Sequence, residues 1–200
     1  MPDDAEDGRS APPPASQGRR SAATTPVAEH DAAASCRLFL ALWPTPAENE
    51  ALLHYQRRWS WPPTAAPVAA ERLHLTLHFI GALPRSRLPE LSTGLRVACD
   101  PFELVLDRAE IWPRGLVVLR ATSPAAALQQ LHGRLGEALQ ALGLSLEKRR
   151  FRPHVTLARR AAGSLPPLAG VELRWLVSGY TLVESLAGAA AGYVVRQRYD

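Results

Sequence analysis

Two short segments of the chain share one pattern, His74-Leu75-Thr76-Leu77 and His154-Val155-Thr156-Leu157: histidine, aliphatic, threonine, leucine. Side chains alternate between the faces of a β-strand, so each segment would set an imidazole and a hydroxyl on one face and two aliphatics on the other. Imidazole titrates near neutrality, so one ring can stay neutral and accept a proton while a second, charged ring donates one. Facing each other across a cleft, the two segments would supply a general acid and a general base. Thr76, Thr156 and an arginine would hold the anionic oxygens between them. The candidate arginine is Arg159, five residues after His154 and on the opposite strand parity. It reaches the cleft only where the strand ends or twists.

Metal chemistry is the competing use of these histidines. His74 and His78, four apart, would converge on zinc if the segment were helical. On a strand they stand roughly 13 Å apart, too far to share an ion. No metal and no cofactor are expected. His78 has the parity of His74 and Thr76, so alternation allows it to face the cleft and touch substrate or tune His74. The reading as a solvated or packed histidine at the edge is favoured, and it is left out of the candidate site. His54 and His132 fall in expected helices, His30 in the tail, and all three are read as bystanders.

The elements that must position the pair can be traced along the chain. A buried strand is expected from Cys36 through Trp43, ended by Pro44. Thr45, Pro46 and Glu48 read as N-cap, first-turn proline and capping-box partner of a helix to about Arg58. Leu73 to Ile80 reads as the strand of the first motif, stopped at Gly81, with a helix over 87–98. Phe102 to Trp112 and Leu116 to Thr122 read as paired strands turned around Pro113, Arg114 and Gly115. Leu128, Leu131, Leu135, Leu139 and Leu142 recur at three- and four-residue spacing, which predicts an amphipathic helix over 125–142 ended by Gly143. Further strands are expected over 152–159, 172–183 and 193–199. Each motif thus follows a strand and a helix, the mark of an internally duplicated α+β fold.

Composition sets the outer bounds. The 200 residues, 46% apolar and 21% charged, suit one compact domain. Residues 1–35, proline-containing and without aromatics, read as a disordered tail, and 36–200 as the folded domain. No apolar run approaches the roughly 20 residues of a membrane span. The acidic opening Asp3, Asp4, Glu6, Asp7 is unlike an export signal, so a cytoplasmic protein is expected. Cys36 and Cys99 form neither a disulfide framework nor a zinc knuckle. The tail holds three arginines and six acidic groups, a net −3, which leaves +7 on the remainder of a chain whose total is +4. Lys148 is the single lysine, and guanidinium forks suit bidentate phosphate contacts. The cluster Lys148, Arg149, Arg150 and Arg152 reads equally as an RNA-backbone contact or a solvated run.

The opening Arg37-Leu38-Phe39-Leu40-Ala41-Leu42, the segment Leu73 to Gly81 and the segment Phe151 to Arg159 together resemble the 2H phosphoesterase superfamily, specifically its RNA 2′,3′-cyclic phosphodiesterase (2′-5′ RNA ligase-like) branch. The resemblance spans about Cys36 to Tyr199. It implies a bilobal, duplicated α+β fold of two antiparallel-type sheets flanked by helices, with both motifs lining a central cleft and no metal ion. The implied reaction opens a 2′,3′-cyclic phosphate at an RNA end to a 2′-phosphate, with ligation as its reverse in some members. The implied roles are His154 activating water, His74 protonating the departing 3′ oxygen, the two labels being exchangeable, and Thr76, Thr156 and Arg159 binding the phosphoryl oxygens. Phe39 would contact the terminal base or, as its position favours, sit in the core. A monomer acting on an RNA end or cyclic nucleotide, without membrane contact, is the expected form. Two alternatives stand beside it: a nucleotide- or RNA-end-binding module without turnover, against which the intact motifs argue, and a phosphodiesterase acting on another cyclic nucleotide or a 2′-5′ oligonucleotide.

Overall fold

The computed structural model describes residues 35–187 and 191–200. The tail expected over 1–35 lies outside the described residues but for Ser35, which begins the first strand. That strand, β1 (Ser35–Leu42), is followed by α1 (Pro46–Arg57), whose start has the expected cap. The Thr45 side chain accepts from the Glu48 amide, and the Glu48 carboxylate accepts from the Thr45 amide at 2.8 Å. After β2 (Ala66–Pro67) and a short 3₁₀ turn (Ala70–Arg72) comes β3 (Leu75–Pro84), directly behind His74. The second helix is shorter than its pattern suggested: α2 covers Leu88–Gly94 after a 3₁₀ turn over Arg85–Arg87. Nor does Gly81 stop β3. At φ +93° it bends the strand, which continues to Pro84.

Two of the long strands read from alternation are broken in the structure. Residues 102–112 divide into β4 (Phe102–Leu106) and β5 (Arg108–Trp112), and residues 172–183 into β8 (Leu173–Val177) and β9 (Tyr180–Leu186). Each break is tied to a contact with a later segment of the chain. Asp107 turns its carboxylate back to accept from the Thr122 amide and hydroxyl. At Gly179 a Cβ would stand 2.2 Å from the Tyr199 carbonyl, so only glycine lets the chain pass. The pieces β4 and β8 pair only with each other.

All other strands, with β6 (Leu116–Arg120), β7 (His154–Arg159) and β10 (Gly192–Tyr199), join one antiparallel sheet in the order β10-β9-β1-β3-β7-β6-β5, with β2 also on β7. The duplication is visible in this order: β1–α1–β3 and β6–α3–β7 are each strand, helix, antiparallel strand. Here α3 is Ala126–Ala141. Its Leu128, Leu131, Leu135 and Leu139 are buried, in one core with Leu52 and Tyr55 of α1 and the inward residues of β1, β3, β6 and β7. No helix among the described residues is long and apolar enough to cross a membrane.

Candidate active site

The two halves of the sheet meet at one residue pair, Leu75 of β3 opposite Val155 of β7. These are the aliphatic residues of the two motifs, equivalent by the 80-residue offset, so the pseudo-twofold axis runs between them. Both are fully buried. Alternation then turns His74, Thr76, His154 and Thr156 to the opposite face, and the antiparallel register sets each histidine across from the other motif's threonine. That face is the floor of a cavity of about 620 Å³ lined by all four side chains and by Arg159. All five expected site residues come together there.

Both imidazoles are anchored in the same way. Nδ1–H of His74 donates to the Arg72 carbonyl at 2.7 Å, and Nδ1–H of His154 donates to the Arg152 carbonyl at 2.7 Å. A carbonyl only accepts, so Nδ1 carries the proton and the lone pair of the neutral ring lies on Nε2. On His74, Nε2 accepts from the Thr76 hydroxyl at 3.1 Å. Among the described residues, three aromatic rings pack on His74 and one on His154. Trp43 stacks on His74 at 5.5 Å, Phe39 leans on it at 5.0 Å and Tyr193 meets it edge-on at 5.2 Å, while Trp112 packs on His154 at 4.6 Å. This burial disfavours the charged ring and lowers the His74 pKa to about 4, the Arg72 carbonyl opposing the shift and the charges of His154 and Arg159 adding to it. His154 is lowered by the same desolvation, with Arg152, Arg120 and Arg159 contributing.

The parity of Arg159 is resolved by a bulge. Val118 pairs with Thr156 and Val117 with Ala158, so Leu157 is an extra residue in β7, and Leu157 and Ala158 are both buried. Beyond the bulge the alternation is inverted and Arg159 turns into the cavity. The Leu157 carbonyl is held by the Val68 amide and by Nε2 of the buried Gln56 on α1, each at 2.8 Å. The same bulge occurs in β3, where Ala41 pairs with Thr76 and Leu40 with His78, leaving Leu77 extra. It turns His78 away from the cleft, in keeping with its reading as a packed histidine outside the site. His78 is buried on the far side, its ring 4.0 Å from His132, which stacks in turn on Phe151, and its Nε2–H donates to the His132 carbonyl at 2.8 Å. Phe79 takes the cavity position instead, 46% exposed and equivalent to Arg159 under the 80-residue offset.

Several residues around the cavity were not read from the sequence as part of the site, Arg152 having been named only within the basic cluster before the second motif. Arg72 and Arg152 stand two before each motif histidine, so the repeat is Arg-x-His-aliphatic-Thr-Leu, and that longer match was a signal to find them. Each supplies the anchoring carbonyl and lays its guanidinium on an aromatic ring beside its histidine: Arg72 on Tyr193 at 4.9 Å, Arg152 on Trp112 at 4.4 Å. Trp43, Trp112, Tyr193, Ser185 and Arg37 are brought in by pairing distant in sequence, and no local pattern marks them. Phe39 is buried, as its position favoured, and forms floor beneath His74. Lys148, Arg149 and Arg150 are exposed and outside the cavity, and Arg149 pairs with Glu147 at 3.6 Å. His54 is exposed on α1.

Comparison with known proteins joins this geometry to a family. The model of the 2'-5' RNA ligase superfamily matches residues 45–186, which include both histidine motifs and both bulges. The chain is 36% identical over 154 residues to a protein of Escherichia coli K12 named RNA 2',3'-cyclic phosphodiesterase, covering 74% of this chain and 86% of that one. It is 33% identical over 185 residues to the Thermus thermophilus protein of the same name, covering 82% and 89%. The crystal structure of E. coli LigT complexed with 3'-AMP superposes with a TM-score of 0.73 at 32% identity, over 83% of this chain and 98% of that one. With the matched segment carrying both motifs and the duplicated sheet that joins them, the chain belongs to the 2'-5' RNA ligase superfamily.

Proposed function

We propose that the protein opens 2′,3′-cyclic phosphate ends of RNA to leave a 2′-phosphate, by proton transfer between His74 and His154 without a metal ion. The observation that carries this is the Leu75–Val155 pair, which sets two Nδ1-anchored imidazoles and two threonines around one cavity. The names of the E. coli and Thermus relatives support the same activity. In the reaction His154 takes a proton from water as its oxygen attacks phosphorus. The bond from phosphorus to the ribose 3′ oxygen breaks, and His74 delivers a proton to that oxygen. Arg159, Thr76 and Thr156 hold the non-bridging oxygens as charge builds on them. A 5′-hydroxyl of RNA in place of water would give a 2′–5′ phosphodiester by the same steps, which is the ligation. Phe79, 46% exposed at the cavity with the Arg37 guanidinium over its ring at 5.2 Å, suits stacking of the terminal base. We assign the activity to residues 36–200, with 1–35 an appended tail, in a cytoplasmic protein.

The test is to incubate the protein in EDTA with an oligoribonucleotide ending in a 2′,3′-cyclic phosphate and identify the phosphomonoester. A 2′-phosphate is expected, and His74→Ala or His154→Ala should each lower kcat about 10²- to 10⁴-fold, the usual worth of a general acid or base. Binding without turnover would instead mark a nucleotide-binding module.

A further inference from the structure

We propose that Arg37, Ser185, Tyr193 and Arg72 form a second phosphate subsite, which takes the 5′-phosphate of the nucleotide whose cyclic phosphate lies between His74 and His154. This rests on the function proposed above and specifies its substrate: a cyclic end that continues into, or begins with, a 5′-phosphate, in preference to a bare cyclic nucleoside monophosphate.

Strand register builds the subsite. Arg37 of β1 lies opposite Ser185 of β9, and Ser185 lies opposite Tyr193 of β10. Directly opposed residues share a face, so an arginine, a serine hydroxyl and a tyrosine form one row across three strands. All three line the cavity that holds the motif histidines, as does Arg72, whose guanidinium covers the Tyr193 ring at 4.9 Å. His74 also packs on that ring, edge-on at 5.2 Å, as do Phe39 at 5.1 Å and Trp43 at 6.2 Å. The row therefore lies beside the reacting imidazole, two ring contacts from it at the Arg72 end.

Charge complementarity points the same way. Several arginines elsewhere in the molecule are matched to carboxylates, as Arg85 and Arg196 are to Glu184, Arg120 and Arg152 to Glu110, and Arg174 to Glu103 and Glu172. Arg37 and Arg72 instead rest on the rings of Phe79 and Tyr193, and among the described residues no carboxylate lines the cavity. A cyclic phosphodiester carries one negative charge, and Arg159 with the two threonines already answers it. Two further guanidiniums and two hydroxyls in the same cavity call for a second anion, and the next phosphate on a ribose bearing a 2′,3′-cyclic phosphate is on its 5′ oxygen. The pseudo-twofold also identifies this side as the specialised one. Strands β3, β1 and β9 have counterparts in β7, β6 and β5, but β10, which carries Tyr193, has none.

Steady-state kinetics on three substrates tests it: a 2′,3′-cyclic NMP with a 5′-hydroxyl, the same with a 5′-phosphate, and a dinucleotide with a cyclic end. The two phosphate-bearing substrates should exceed the first in kcat/KM by about tenfold or more at low salt, a margin that shrinks as salt screens the contact. Arg37→Gln and Arg72→Gln should each pull that ratio toward one, whereas Arg159→Gln should slow all three substrates alike. A ratio near one in the unaltered protein, a ratio that survives both substitutions, or a gain for the dinucleotide alone would overturn the subsite. No turnover of any of the three would overturn the underlying function, and the subsite with it.

Discussion

A histidine partly withdrawn from water gives up its proton more readily than one in water, and both motif histidines are lowered by such desolvation. Acid–base catalysis needs one of them charged and the other neutral, a state most populated between the two pKa values of the pair. In the free protein one of these is about 4 and the other below the ordinary 6.5. The kcat/KM profile should therefore be bell-shaped with its maximum on the acid side of pH 6.5, falling about tenfold per unit above it. Bound phosphate brings a negative charge that favours the imidazolium, so the kcat profile should lie at higher pH than the kcat/KM profile. A kcat/KM maximum at or above pH 7 would contradict this account of the site.

At the scale of elements, the device that completes the site is the bulge in β7. It carries Arg159 across from the side that plain alternation assigns to it. The bulged Leu157 carbonyl needs partners, and Gln56 of α1 supplies one while also donating to the Val68 carbonyl at 2.9 Å. A single side chain thus ties together the helix, the segment just after β2 and the bulge. Gln56→Leu should cost about 1–3 kcal/mol of stability, the penalty for leaving buried carbonyls short of a donor, measurable by urea unfolding. It should also lower kcat/KM several-fold by loosening Arg159. In an Arg159→Gln background the same change should leave kcat/KM where it is, because the side chain being positioned is gone. Equal losses in both backgrounds would mean that Gln56 acts on stability alone.

Across the whole molecule, four histidines among the described residues are wholly or partly buried and have lowered pKa values: His74 and His154 at the cavity, and His78 and His132, which stack on each other. Burial lowers all four, His74 and His132 to about 4, while in the unfolded chain each titrates near 6.5. Below pH 6.5 the unfolded state binds protons that the folded state refuses. Their contribution to stability is complete above 6.5 and is lost as pH falls toward 4. Carboxylates held low, such as Glu184, where hydrogen bonds from Arg85 and Arg196 outweigh burial, withdraw theirs only at still lower pH. The melting temperature should drop by several degrees between pH 7.5 and 5.5, before the carboxylates titrate. A melting temperature unchanged over that interval would mean that these rings are not buried neutral.

What the sequence alone determined are the features that short-range spacing encodes. Two His-x-Thr segments with strand alternation specify which side chains share a face, Thr45 and Glu48 specify a helix start, and the leucine spacing of 128–142 specifies a helix. The duplicated α+β fold and the five expected site residues followed from these and from the family pattern. Tertiary structure decided whatever depends on counting across strands. A bulge inserts one residue and inverts every later side chain, so the faces of His78, Phe79 and Arg159 were fixed by the partner strands and not by parity. The breaks at Asp107 and Gly179 follow from Thr122 and Tyr199, one 15 residues away in sequence and the other 20. Arg37, Ser185 and Tyr193 become neighbours only through strand pairing, because the contacts that assemble them join residues far apart in the chain.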